Sequence, residues 1–373
     1  MQVRELDTTN PADVEKFIQF PFDLYQGSKF WVPHFVAELK TVMNREKHPF
    51  YQHSDAAFLL AENNGETVGR IAILHQKNYS AYHKAQYGFF YYFDAIDDLQ
   101  VSRSLFEYAI EWARQRGIEY ILGPKGFARS SGIGLLVEGF DYLPAVGMNY
   151  NYPYYQKLIE DACFTKWTDH LSGYITRDKK VDPRVHEAAA KVMKRNDFRV
   201  LSFKNKNEMK AMIPAINTVN REAFKDNPGY YPSTPEEFDM LAKNMIQILD
   251  PDLPKLIMKG DEVAGFIIAY RNISQGIQKS KGKMWPFGWI HLLKDKKQTR
   301  TIDMNGVGLL PKYQGMGANA VLYDELEKTL RATNADIAEF VQIDELNYRS
   351  KKDMERVGVS WCKRHRTYQL ELK

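Results

Sequence analysis

Apolar residues between Ala57 and Leu74 fall in two short runs, Phe58-Leu59-Leu60 and then Val68, Ile71 and Ile73, on either side of the polar turn Asn63-Asn64-Gly65. Short apolar runs about such a turn predict a β-hairpin. A second hairpin is predicted from Pro254 to Tyr270, turning at Lys259-Gly260-Asp261. Setting Gly65 on Gly260 gives an offset of 260 − 65 = 195. The same offset returns far away: Tyr154 to Phe164 and Arg349 to Val359 both read as a helix running into a strand, and 359 − 164 = 195. A register shared at two distant points marks a duplicated unit.

Between these points each half carries a long amphipathic helix. Leu105, Phe106, Ala109, Ile110 and Ala113 have helical spacing in the first half, and Val321, Leu322, Leu326 and Leu330 in the second. Each helix precedes a short apolar strand, Tyr120-Ile121-Leu122 or Ala338 to Ile343. Each half therefore predicts helices, a hairpin, a strand, a helix, a strand, a helix and a closing strand. That is an α/β (α+β) unit around a mixed, mostly antiparallel sheet flanked by helices. The charged stretch Thr176 to Pro183 places the boundary, giving halves 1–178 and 179–373, the second with an insertion at about 272–300.

Composition narrows the class. A chain of 373 residues exceeds what one core usually serves, and 44% hydrophobic residues supply core for two. A net charge of +4 with no block of like charge argues against a nucleic-acid partner. No run approaches the roughly 18 apolar residues of a spanning helix, and the first residues lack a secretory pattern, so a cytoplasmic protein is expected. Cys163 and Cys362 match no metal spacing and are expected to be reduced, buried thiols; no metal site is predicted.

Candidate chemistry lies in Asn305-Gly306-Val307-Gly308-Leu309-Leu310-Pro311-Lys312-Tyr313-Gln314-Gly315-Met316-Gly317-Ala318-Asn319, with a helix following at once. A strand entering a glycine-bearing loop at a helix start aims unpaired N–H groups and the positive end of the helix dipole at one point. A diphosphate can bind there. Gly315 and Gly317 let the backbone approach it, since no Cβ intervenes. Glycine count alone also fits a plain strand-to-helix turn.

The stretch Leu309 to Gly317 resembles the cofactor motif of the GNAT acyltransferases, in which a valine-x-proline strand end leads into Gln/Arg-x-x-Gly-x-Gly/Ala. Gln314 and Gly317 match it; the last position is Asn319 rather than Gly or Ala. Asn347, Ser350, Glu355, Arg356 and Gly358 resemble the family's later pattern, Asn-x-x-Ala-x-x-x-Tyr-Glu-Lys-x-Gly-Phe. The resemblance runs from about Glu208 to the C-terminus and implies two tandem GNAT-like domains. It implies acetyl-CoA or another acyl-CoA as co-substrate, its pyrophosphate on Gln314, Gly315, Met316, Gly317, Ala318 and Asn319. The pantetheine amides would meet the backbone of Leu309 and Leu310, with Asn347 flanking the CoA arm.

One departure bears on mechanism. The family tyrosine that protonates the departing thiolate is replaced by Met354, leaving Tyr348 or Tyr323 as donors, or a thiolate that leaves unaided. Strand alternation puts Asp303, Asn305 and Val307 on one face. Relatives carry a base at the place of Asn305, so Asp303 is either that base at one remove or an edge charge.

In the first half the place of the phosphate loop, Asp97-Asp98-Leu99-Gln100-Val101-Ser102, has no glycine and two carboxylates, so cofactor binding is expected to be lost there. Arg129-Ser130-Ser131-Gly132-Ile133-Gly134 fits the letters of the motif but follows the wrong strand. In the insertion, Met284 to Lys294 mixes Trp285, Phe287, Trp289, Ile290 and Leu293 with flanking lysines. It reads as peripheral membrane contact, as the wall of a greasy acceptor tunnel, or as a packed loop. The functional expectation is an acyl-CoA-dependent N-acyltransferase acting on a small-molecule or lipid-like amine. Its alternatives are an aminoacyl-tRNA-dependent Fem-type transferase and a non-catalytic acyl-CoA-binding protein.

Overall fold

The computed structural model describes residues 1–179 and 183–372; residues 180–182 of the expected boundary lie outside them. The first repeat runs β1 (Gln2–Glu5), α1 (Pro11–Leu24), α2 (Val36–Met43), β2 (Asp55–Asn63), β3 (Glu66–His75), α3 (Lys77–His83) and β4 (Tyr87–Ala95). It continues through α4 (Leu99–Arg114), β5 (Tyr120–Gly123), β6 (Leu135–Glu138), α5 (Tyr155–Asp161) and β7 (Thr165–Thr176). After α6 (Pro183–Asn196) the second repeat runs β8 (Phe198–Ser202), α7 (Lys206–Ala211), α8 (Ile213–Phe224), α9 (Pro235–Ile248), β9 (Lys255–Lys259) and β10 (Glu262–Arg271). It ends with α10 (Ser274–Ser280), α11 (Gly288–Gln298), β11 (Thr301–Leu309), α12 (Ala318–Ala332), β12 (Ile337–Asp344), α13 (Tyr348–Val357) and β13 (Ser360–Glu371).

Both predicted hairpins form, with turns at Asn64-Gly65 and Gly260-Asp261. The closing strands β7 and β13 begin 360 − 165 = 195 residues apart. The repeat is finer than the sequence suggests, because α3 recurs as α10 and both end on a lysine in the left-handed region, Lys84 and Lys281. Three residues lead from α3 to β4; between α10 and β11 the chain adds α11.

The chain divides into two compact units that are not contiguous stretches. Unit 1 is Met1–His170, Ile273–Asp295 and Lys363–Lys373; unit 2 is Leu171–Asn272 and Lys296–Cys362. The closing strands are thus exchanged: most of β13 lies in unit 1, where it pairs antiparallel with β5 and β6, and the second half of β7 lies in unit 2. Most of the insertion also belongs to unit 1.

In unit 1 the strands follow the order β1-β2-β3-β4-β5-β13. They are antiparallel except for β4 and β5, the pair joined across α4. Leu105, Phe106 and Ala109 of α4 pack with Leu59, Ile71 and Phe90 of the sheet, so the predicted helix face forms the core. In unit 2 the order is β12-β11-β10-β9-β8, with the parallel pair β11 and β12 joined across α12. Cys163 departs from expectation: it is exposed, at φ 66° in the turn that leads into β7; Cys362 is half-buried.

Candidate active site

After Leu309 the chain takes one short turn, Pro311–Tyr313, and α12 begins at Ala318. Gly315 (φ 77°) and Gly317 (φ 83°) both occupy the left-handed region, which a side chain would strain. Gly317 caps α12 without any side-chain hydrogen bond. Among the described residues, the amides of Gly315, Gly317, Ala318 and Asn319 find no protein acceptor. Four donors and the positive end of a 15-residue helix dipole therefore lie together at the helix start, and an external anion would complete them.

Side chains hold the loop in shape. Gln314 Nε2 donates to Leu309 O (3.2 Å), folding the loop onto its strand. Tyr313 Oη donates to Glu262 Oε2 (2.5 Å), and Lys312 pairs with the other oxygen of that carboxylate (2.6 Å). Val192 of α6 closes the back of Gly317: a Cβ there would lie 2.7 Å from Val192 Cγ2. Asn319 Nδ2 donates to Asp353 Oδ2 (2.9 Å), so the position where the motif departs from Gly or Ala ties α12 to α13.

The strand before the loop opens. β11 pairs with β12 only from Thr301 opposite Ile337 to Met304 opposite Phe340. Beyond Met304 the edge of β11 facing β12 has no strand partner among the described residues, which leaves room for an extended ligand. The opening coincides with a bulge: against β10, Ile268 faces Gly306 and Ala269 faces Met304, leaving Asn305 unpaired. A bulge interrupts two-residue alternation. Both residues still meet Tyr270, which pairs with Asp303 and accepts from Asn305, but their burial differs: Asn305 is exposed and Asp303 wholly buried.

Asp303 takes a hydrogen bond from Asn272 Nδ2 on each oxygen (3.0 and 3.1 Å). It stands opposite Glu339, a second buried carboxylate. Asn305 Nδ2 donates to the buried Tyr270 Oη (2.6 Å). Burial, then the charge of Asp303, drives the Tyr270 hydroxyl far above its ordinary range, so it is held protonated.

Asn347 caps α13, its Oδ1 accepting from Ser350 N (3.1 Å). Tyr348, the first residue of that helix, is 71% exposed, whereas Met354 at the family's tyrosine position is buried. Tyr323 is raised well above its ordinary range by burial and by its contact with Asp353, which makes it a poor proton donor. Tyr270, Asn272, Glu339, Asp353 and Val192 escaped the sequence reading. None belongs to a spaced motif; each acquires its place through pairing or packing with another element.

At the corresponding place in unit 1, α4 begins on Asp98, whose own carboxylate accepts from Gln100 N (2.8 Å). The helix start is occupied by a side chain. Among the described residues no group of three or more His, Cys, Asp or Glu is arranged to hold a metal, and no helix is long and apolar enough to cross a membrane.

Two tandem repeats, each with a strand that splays from its parallel neighbour, and one open glycine loop at a helix start: this is the tandem GNAT fold. The tandem GNAT protein from the clavulanic acid biosynthesis pathway superposes with a TM-score of 0.58 at 9% identity, covering 99% of this chain and 98% of that one. A GCN5-related N-acetyltransferase from Sphaerobacter thermophilus gives 0.50 at 14% identity, covering 99% and 95%. No family model matches the chain. Among curated proteins it is 28% identical over 374 residues to Protein YghO of Escherichia coli, spanning 97% of this chain and 94% of that one. It is also 28% identical over 371 residues to a protein named bacterial ceramide synthase of Caulobacter vibrioides, spanning 97% and 96%.

Proposed function

We propose that the protein is an acyl-CoA-dependent N-acyltransferase whose acceptor is a lipid-like amine. The observation that carries this reading is the set of unsatisfied amides at Gly315, Gly317, Ala318 and Asn319 at the start of α12, continuous with the open edge of β11. A CoA pyrophosphate would take those amides, and the pantetheine arm would run along Leu309 and Leu310 toward the bulge. The relative named bacterial ceramide synthase supports the choice of acceptor, because a ceramide is the amide of a fatty acid with a long-chain amino alcohol.

In this scheme the neutral amine attacks the thioester carbonyl, the addition intermediate gives a nitrogen proton to water, and the amide forms as the C–S bond breaks and the CoA thiolate leaves. Asn305 stands exposed at the bulge and orients the amine. Asp303, wholly buried, acts by its charge beside Tyr270 and Asn305, and the ammonium proton itself leaves to water. With Met354 in place of a donor and Tyr323 held protonated, the thiolate departs without a dedicated acid, which a thiol pKa near ~8.5 permits; Tyr348 remains the exposed alternative.

Gly315 offers a direct test, because a Cβ there meets nothing within 4 Å and aspartate tolerates the left-handed region. Gly315→Asp should fold, yet aim a carboxylate at the diphosphate. Calorimetric titration with CoA should then show affinity reduced by about a hundredfold or more, the scale of a like charge placed in an anion site. Unchanged affinity would sink the assignment of the loop. Turnover of acyl-CoA with a long-chain amino alcohol tests the reaction itself, and its absence alongside intact CoA binding would leave an acyl-CoA-binding protein. In an active enzyme, Asp303→Asn should shift the acidic limb of the pH-rate profile; an unmoved limb removes Asp303 from the mechanism.

A further inference from the structure

Between its hairpin and the strand that follows, the second repeat carries an addition that the first lacks, the segment between Lys281 and Arg300 with α11. In a folded protein such a segment normally buries its apolar side chains. Here only one face is anchored: Leu292 is buried, and Asp295 Oδ2 accepts from Gly276 N (2.6 Å). Met284 (40%), Trp285 (80%), Phe287 (69%), Trp289 (42%), Ile290 (45%) and Leu293 (50%) are all exposed. Isolated exposed apolar residues are ordinary, but six large ones within ten residues form a patch of the kind that marks an interaction surface.

Charge selects the occupant. Lys281, Lys283, Lys294 and Lys297 bracket the apolar residues and are themselves exposed. None of these four takes part in an ion pair among the described residues. Tryptophan and phenylalanine ringed by lysines suit the interface of a bilayer, where the rings sit at headgroup depth and the ammonium groups meet anionic lipid. A protein partner would instead need a complementary apolar and acidic face.

The segment is also joined to a cavity wall within unit 1. Gly282 O accepts from Val36 N (2.9 Å), and Gln278 Nε2 donates to Trp31 O (2.8 Å). Trp31, His34 and Val36 line a cavity of about 70 Å³ that is also walled by Tyr91, Tyr92 and Met148.

We propose that Met284 to Leu293, with its bracketing lysines, docks the protein on an anionic lipid surface. A lipid-like acceptor gives this docking its purpose, but the docking is measured without CoA or acceptor, so it stands or falls apart from the proposed reaction. The probe is vesicles of phosphatidylcholine with about one quarter phosphatidylglycerol, against pure phosphatidylcholine. The intact protein should co-sediment with the anionic vesicles and show blue-shifted tryptophan emission that brominated acyl chains quench. The double substitution Trp285→Ser and Phe287→Ser, at the two most exposed positions, should lower vesicle affinity about tenfold or more and abolish most of the quenching. CoA affinity should be unchanged. Raising salt from about 50 to about 500 mM should weaken binding by screening the lysines. The proposal is overturned if the protein stays in the supernatant, if the double variant binds vesicles like the parent, or if light scattering shows the patch buried between two copies.

Discussion

The two repeats start the same helix in opposite ways. In unit 1, α4 opens on Asp98, which accepts from the amide of Gln100. In unit 2, α12 opens on Gly317, which has no side chain, and four neighbouring amides are left without an acceptor. The first helix carries its own anion and the second is open to one from outside. The structural cap and the proposed ligand site thus differ at the residue that opens the helix, Asp98 in one repeat and Gly317 in the other. The comparison extends to the protonation chemistry of the units. Unit 1 holds eight of the nine histidines, and unit 2 only His186.

The largest expected effect concerns those histidines. Burial lowers His170 to about 3, with His365 nearby adding to it, and burial lowers His365 to about 4. Both folded values lie below the ordinary value, so between pH about 6.5 and about 4 the unfolded chain binds more protons than the folded one. Their contribution to stability is complete above pH 6.5 and is lost as pH falls, on the order of 3 kcal/mol per histidine. Calorimetric scans from pH 7 to pH 4 should therefore move the unit 1 transition down more steeply than that of unit 2. Parallel shifts of both transitions would break the contrast.

A smaller effect sharpens the description of the open loop. Gly317→Ala places a Cβ at φ 83° and 2.7 Å from Val192 Cγ2, so unit 2 should lose roughly 1–3 kcal/mol, while unit 1 keeps its transition. Adding Val192→Ala should restore the steric part and leave the backbone part. If the pair is no better than Gly317→Ala alone, α6 does not press on the loop as described.

The smallest effect tests the closed end. Asp98→Ala removes the cap of α4 and should cost about 1 kcal/mol. Titration should still find one CoA per chain, because an uncapped helix start without left-handed glycines offers fewer convergent amides. A second equivalent of CoA would show that Asp98 alone stands between unit 1 and a working site.

Much of this architecture was legible as pattern. Both hairpins, the two long helices and the recurring offset follow from apolar spacing and turn chemistry, which are local properties. The glycine loop was legible for the same reason: Gly315 and Gly317 prescribe a backbone shape wherever the chain puts them. The reading went astray where a neighbouring strand decides. Counting in twos brought Asp303 and Asn305 together, and both do meet Tyr270, but it could not show the bulge at Asn305 or that Asp303 is wholly buried while Asn305 is exposed. Cys163 was taken as a buried thiol, yet a left-handed turn exposes it.

By itself, then, the sequence determined the repeat, the order of elements and the glycine loop proposed to receive a diphosphate, because helix and strand periods and glycine torsions are encoded within a few residues. Only the tertiary structure decided that the closing strands change units, that Asp303 lies bound to Asn272, and that Trp285 and Phe287 face outward. Those outcomes depend on which surfaces meet, and pairing partners distant in sequence leave no local mark: β7 and β13 carry the same apolar pattern whichever unit receives them.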